Sequence, residues 1–421
     1  MNTHEESLKQ TLTAVLTSLV VALIPSAARA AEAATDPLQI FGIPLEFILF
    51  GATILGVALA HRRNLEIALA GLAAIAALRI GFTGLDPIAH LAHEARLILN
   101  LIGLLLGFAL LARHFSDSGL PDWMPRWLPD NWAGGFVLLG LVAALSAIVD
   151  NIAGAVIGGV VARKVYRNRV GVGYLAAIVA ASNAGGSGSV IGATTTTMLW
   201  IAGASVLNVA DAFIGAVVAL AFAGVFAARR QHRLQPIAAP ATVTARLDPA
   251  CIVIVGAIIA AAIGANLWIG FPAAGVWAAI LLGGVLRPIP WRDALHALRG
   301  AVFLSALVLG ASLLRLDGLP PASWTTALIM GFVSAVFDNI PLMALAIFQG
   351  GYDWGLLAFA VAYGGSIVWF GSSAGVAISN DFPEVRDTVK WLREGWPIVI
   401  AYLLGFFAIL ALTGWHPTRL R

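Results

Sequence analysis

With 421 residues, 60% of them hydrophobic and only 11% charged, the chain carries less than half of the roughly 25% charge usual in soluble domains. Its mean hydropathy of +0.89 and its many apolar runs near the roughly 20 residues needed to span a bilayer predict an all-α polytopic membrane protein. The runs are continuous rather than alternating, which excludes a β-barrel. The net charge of +3 sits in short loops and speaks to topology, not to nucleic acid. A single cysteine, Cys251, excludes an internal disulfide and a cysteine-built metal site.

In chain order, residues 11–24 form an apolar core followed by Ala28, Arg29 and Ala30, an A-x-A cleavage pattern. Glu5 and Glu6 outweigh Lys9 ahead of it, so residues 1–31 read as a signal peptide or a retained signal anchor. Crossings are expected near 40–60, 65–83, 94–112, 205–228, 249–269, 272–287, 299–316 and 395–414. Stretches 171–202 and 354–380 are long and interrupted by Gly and Ser. Stretches 133–162 and 325–349 each hold an Asp-Asn pair at the centre, Asp150-Asn151 and Asp338-Asn339. The histidines His90, His93 and His114 read as solvated loop residues. Trp123, Trp127 and Trp132 fit an interfacial aromatic belt.

Lys and Arg cluster at 61–63, 163–169, 229–233 and 287–299, which places these four loops in the cytoplasm. The loops near Asp86, Asp317 and Asp353 lack that excess and fit the outside. A consistent path then needs 133–162 and 325–349 to enter and leave on one side each, while 171–202 and 354–380 cross once. The first re-entrant hairpin opens to the cytoplasm and the second opens outward. The halves become two inverted-topology repeats, over 32–228 and 249–421, joined by a cytoplasmic linker at 229–248. Two motifs recur in the same order. SAIVDN returns as SAVFDN 188 residues later, and GGSGSVIG returns as GGSIVWFG 179 residues later. Interrupted helices in inverted repeats mark secondary transporters, whose sites lie near the midplane where the repeats meet.

An ionised carboxylate at mid-membrane costs at least ~2.5–3.5 kcal/mol, and a bound cation or a proton relieves that cost. Asp150 and Asp338 are therefore the candidate carboxylates, with Asn151 and Asn339 as neutral oxygen ligands for a hard cation such as Na+. The breaks supply the rest: Asn183, Gly185, Gly186, Ser187, Ser189 and Thr194 in the first half, and Gly364, Gly365, Ser366 and Ser372 in the second. Continuous helix is unfavourable at such Gly-Ser runs, and a broken helix exposes carbonyls at one half-helix end and amides at the other. For the small residues singly, close helix packing is the plainer reading. For the two acids the alternative is structural pairing with Arg79 or Arg315. If the substrate is an anion, half-helix N-termini at Ser189 and Ser366 would face it. A membrane aspartyl protease is disfavoured, because no Gly-x-Gly-Asp context surrounds either acid. An ATP-driven pump is disfavoured because no GxxxxGK[ST] occurs.

Taken together, SAIVDN, ASNAGGSGSVIGATTTTMLWI, SAVFDNIPL and AYGGSIVWFGSSAGVA resemble the NhaD-type sodium/proton antiporters. These belong to the ion transporter superfamily that also holds arsenite pumps and sodium-coupled carboxylate carriers. The resemblance spans about residues 40–415. It implies scaffold and transport domains, a homodimer moving in an elevator-like way in a bacterial inner membrane, and no cofactor. It also implies Na+ (or Li+) and H+ as transported ions, with Na+ at Asp150, Asn151, Asp338 and Asn339. The chain departs from the family at Ala193, where an acidic residue is usual, and at Ile152, Ala153 and Gly154, where Thr residues are usual. A sodium-coupled carrier of a citrate- or succinate-like carboxylate is the alternative function.

Overall fold

In a computed structural model, the described residues are 39–40, 43–59, 63–237, 247–315 and 320–420. The expected signal segment, Asp317 and residues 238–246 of the linker lie outside them. The described residues are almost wholly helical, as expected of a polytopic membrane protein. Six helices among the described residues are long and apolar enough to cross a bilayer. A small ribbon of β1 (Gln39–Ile40) and β2 (Ile43–Pro44) precedes the first helix. The first half continues with α1 (Leu45–Leu59), α2 (Asn64–Thr83), α3 (Pro87–Asp117), α4 (Leu120–Trp123), α5 (Trp132–Ile148), α6 (Asn151–Val165), α7 (Val172–Ser187) and α8 (Thr194–Ile201). It closes with a long span divided into α9 (Val206–Ala210), α10 (Ala212–Ala219), a π turn at Leu220–Gly224 and α11 (Val225–Leu234). The second half comprises α12 (Pro249–Ile269), α13 (Pro272–Gly283), α14 (Trp291–Ser312), α15 (Trp324–Ser334), α16 (Asn339–Gln349), α17 (Trp354–Gly364), α18 (Ser373–Asp381) and α19 (Thr388–Thr413).

Span ends follow local chemistry. Asp86 and Asp248 cap α3 and α12, each just before a proline at the first helical position. There the carboxylate takes otherwise unpaired amides and the proline has no amide to lose. Asp353 and Asp387 cap α17 and α19 by the carboxylate alone, without a following proline. Gly84 and Gly270 end α2 and α12 in the left-handed conformation, which glycine adopts without steric cost.

Polar contacts collect where helices end, in two groups. One holds Glu66–Arg299 at 2.9 Å, Asp248–Arg287 at 2.8 Å and Arg113–Asp293 at 3.7 Å. In the same group Gln231 donates to the Arg169 carbonyl at 2.8 Å, Arg163 donates to the Asp381 carbonyl, and Arg229 stacks 4.7 Å from the Trp132 ring at the start of α5. The other group holds His90–Ser312 at 2.9 Å, Gln349 to the Pro320 carbonyl at 2.7 Å, and the His416 amide to Asp353 at 3.0 Å. The mouth of the α5–α6 hairpin belongs to the first group, with the basic loops, and that of α15–α16 to the second.

The histidines correct the loop reading. His90, His93 and His114 all lie in α3, and His114 is buried in its last turn. The apolar pattern of that span runs further toward both ends than 94–112 because Asp86 caps it early and Ser118 ends it late.

Candidate functional site

Helix stops before each Asp-Asn pair, at Ile148 in the first hairpin and at Ser334 in the second, and restarts at the asparagine. Asp150 is the N-cap of α6 and accepts from the Ile152 amide at 3.2 Å; Asp338 is the N-cap of α16 and accepts from the Ile340 amide at 3.0 Å. Aspartate is favoured here because its oxygen takes an unpaired amide, and the positive end of the helix dipole stabilises its charge. Both acids therefore have a local structural job at a hairpin tip, which the sequence reading did not include. Both remain half-buried, whereas Asn151 and Asn339 beside them are buried. Among the described residues neither carboxylate has an ion-pair partner, so the expected alternative of pairing with Arg79 or Arg315 is not realised.

Each hairpin locks against a broken helix. The first break lies between α7 and α8, and the second between α17 and α18. Glycine is required at the approach. A Cβ on Gly185 would strike the Ala143 backbone, and one on Gly364 would strike the Gly331 backbone. Across the breaks, a Cβ on Gly186 would meet the Gly192 carbonyl at 2.5 Å, and one on Gly365 would meet that of Gly371 at 2.7 Å. Ser146 donates to the Ser182 carbonyl at 2.6 Å, and Ser334 to the Val361 carbonyl at 2.7 Å. Every one of these pairs corresponds between halves at the two offsets seen in the motifs, 188 for the hairpin and 179 for the break. The pairing also crosses over: α6 packs on α18, and α16 packs on α8.

One buried side chain joins the halves. Asn151 donates its amide to Asn183 Oδ1 at 2.8 Å. Asn183 in turn donates to Ser366 Oγ at 2.9 Å and Ser372 Oγ at 3.0 Å. Ser182, next to it, donates to the Asn151 carbonyl. Asn183, Ser366 and Ser372 are fully buried. Such groups must be paired inside a protein, since each orphan costs about 1–3 kcal/mol. Ser373 then donates to Asp338 Oδ2 at 3.3 Å, extending the polar cluster to the second carboxylate.

Of the predicted residues, Asn151, Asn183, Ser366 and Ser372 thus form one network, and Gly185, Gly186, Gly364 and Gly365 form its backbone approach. Three others turn away from it. Ser187 donates back to the Ala184 carbonyl at 2.7 Å, Ser189 accepts from the Ile191 amide at 3.4 Å, and Thr194 makes no side-chain hydrogen bond among the described residues. The half-helix starts also differ from expectation. They are Thr194 and Ser373, capped by Ala193 and Ser372, not Ser189 and Ser366. Helix runs through Gly185, Gly186 and Ser187 in the first half and through Gly364 in the second, and the residues from there to Ala193 and Ser372 are non-helical, which shifts each restart toward the C-terminus. The predicted set omitted Ser146, Ser182 and Ser334. Ser146 and Ser334 carried a signal, since each opens the repeated six-residue motif.

Comparison with known proteins places these features in context. The family described as citrate transporter (CitMHS) matches residues 62–364, ending at the last residue of α17. "Sodium/proton antiporter 1" of Arabidopsis thaliana is 28% identical over 377 residues, covering 77% of this chain and 63% of the relative. "Sodium/proton antiporter 2" of the same plant is 29% identical over 294 residues, covering 58% of this chain and 68% of the relative. The chain therefore spans less than two thirds of the length of the first relative.

Proposed function

The chain belongs to the citrate transporter family and is a multi-pass secondary transporter, not an enzyme, and we propose that it exchanges a small cation, Na+ or Li+, for protons. The observation that carries this reading is the pair of half-buried carboxylates, Asp150 and Asp338, at hairpin tips with no cationic partner among the described residues. An unpaired acid at membrane depth takes either a cation or a proton, and the two compete for it. The names of the two plant relatives are consistent with that exchange.

In this proposal Asp338 with Asn339, and Asp150 with Asn151, form two cation sites, and the breaks at Gly185–Thr194 and Gly364–Ser373 supply carbonyl and hydroxyl oxygens. The site residues move as a block past the remaining helices, in the manner of an NhaD-type homodimer in a bacterial plasma membrane. The two halves act as inverted repeats. The recurring contacts at offsets 188 and 179, and the opposite placement of the two hairpin mouths, support that organisation.

The test is ion flux in proteoliposomes carrying a pH-sensitive dye, with wild type, Asp150→Asn and Asp338→Asn. Na+ or Li+ should drive proton movement in the wild type, and Asp338→Asn should abolish it. Absence of any response to either ion from correctly inserted wild type would sink the proposal. A second reading, sodium-coupled uptake of a carboxylate, draws on the family's name and on the Ser372-capped start of α18 beside the Asn183 network. Labelled citrate or succinate accumulating on a Na+ gradient, with no proton exchange, would select it instead.

A further inference from the structure

A separate cavity of about 720 Å³ opens where three helix ends converge: the start of α7, the end of α11 and the start of α19. It lies in the group of contacts that holds the basic loops. Its cause is visible in the backbone. The π turn at Leu220–Gly224 widens one wall, and Pro397, inside α19, removes a ladder hydrogen bond from the other.

The lining divides by chemistry. The mouth carries Arg229, Arg230, Arg233 and Lys390 against Glu384 and Glu394, an excess of two positive charges. Arg230 is held 3.8 Å from Glu394, and Glu394 also accepts from the Gly173 amide at 3.1 Å. Arg233 and Lys390 have no ion-pair partner among the described residues. Further into each span stand Phe226 and Trp396, 47% and 46% exposed, with ring centroids 5.8 Å apart. Phe226 lies one turn before Arg230, and Trp396 lies nearly two turns after Lys390. A cationic mouth above an open aromatic wall, at the end of membrane spans, matches an amphiphile with an anionic head and an apolar tail.

We propose that this groove binds an anionic phospholipid from the leaflet facing the basic loops, with its phosphate at Arg233 and Lys390 and an acyl chain along Phe226 and Trp396. Basic pockets between spans on that side of a membrane are suited to such headgroups. The site is independent of the cation-exchange reading, since none of its residues belongs to the Asn183 network.

The test uses the purified full-length chain in detergent, titrated with phosphatidylglycerol, cardiolipin, phosphatidylcholine or inorganic phosphate. Retention is read by native mass spectrometry and stabilisation by the thermal midpoint. The anionic lipids should be retained and raise the midpoint, while phosphatidylcholine and inorganic phosphate should not. Retention should fall roughly fivefold for each cation removed in Arg233→Gln and Lys390→Gln, and also in Trp396→Ala, which leaves the charges in place. An Arg167→Gln/Arg419→Gln control, neutralising cations elsewhere, should retain lipid normally. A matching lipid-free midpoint for wild type and variants establishes that the variants fold. Equal retention by wild type and the Arg233→Gln/Lys390→Gln variant would overturn the proposal. So would equal stabilisation by inorganic phosphate, which needs no acyl wall.

Discussion

The first and second hairpin-and-break units share a backbone design and differ in the side chains placed on it. Ser146 and Ser334 close on equivalent carbonyls, and Gly185 and Gly364 meet equivalent backbones. At the same offsets, however, Asn183 corresponds to Ala362, Ala193 to Ser372, and Thr194 to Ser373. The first half therefore supplies the bridging amide, and the second supplies the hydroxyls that receive it. The hydroxyl that reaches a carboxylate also belongs to the second half alone, because Ser373 bonds Asp338 while Thr194 bonds nothing comparable. The repeated frame sets where the polar groups can stand. The departures from repetition make the two halves depend on each other.

The largest expected effect tests whether the two acids are equivalent. Asp338→Asn should reduce cation-driven proton flux by more than the ~100-fold that loss of an outer-sphere partner can cost. Asp150→Asn, which lacks the added hydroxyl, should lose less. Equal losses in the two variants would show that the Ser373 contact does not distinguish them. Next comes the bridge. Asn183→Ala leaves the Asn151 amide without its acceptor and two buried serines without their donor, a destabilisation of about 1–3 kcal/mol for such orphaned groups. The thermal midpoint in detergent should fall, whereas Ala362→Gly at the corresponding place breaks no hydrogen bond and should shift it less. The reverse order would mean that Asn183 does not hold the halves together.

A smaller effect separates the two residues at the half-helix starts. Ser373→Ala should weaken apparent cation affinity about tenfold, the scale for losing a group that orients a ligand. Thr194→Ala should leave it nearly unchanged. The measurement is the half-saturating Na+ or Li+ concentration for dye response in proteoliposomes. Matching shifts in both variants would show that Thr194 contacts an ion directly.

Much of the frame was legible in the sequence because membrane insertion writes it in coarse letters. Apolar length located the spans, Gly-Ser runs located both breaks, and an acid inside an apolar run located both tips. What escaped was set by geometry a few residues deep. Asp150 and Asp338 as N-caps depend on where helix stops, which no hydropathy window resolves. The Asn183 bridge spans 183 residues to Ser366, and only the packing of α7 against α17 brings them within reach. Ser187 and Ser189 looked as suitable as Ser366, yet Ser187 turns back on its own helix. Small hydroxyl residues serve packing and ligation equally well, and composition alone does not separate the two.

The smallest effect concerns the caps themselves. Ser372 caps α18 by accepting from the Gly375 amide, whereas Ala193 offers α8 no side-chain cap. Replacing a serine cap by alanine costs about 0.5–2 kcal/mol, and Ser372→Ala also removes one of the two hydroxyls that accept from Asn183 while leaving Ser366, so the thermal midpoint should fall by the cap and one hydrogen bond together. Ala193→Ser should raise it, by less, because a new hydroxyl must also fit. Room for it follows from the repeat. A Cβ on Gly186 would stand 3.1 Å from the Ala193 Cβ, and one on Gly365 would stand 3.2 Å from the Ser372 Cβ. The second half accommodates a serine at that spacing, so the first half should as well. A lower midpoint for Ala193→Ser would mean that the two breaks differ in shape as well as in side chains. The internal correspondence would then stop at the backbone contacts already seen at Gly185 and Gly364.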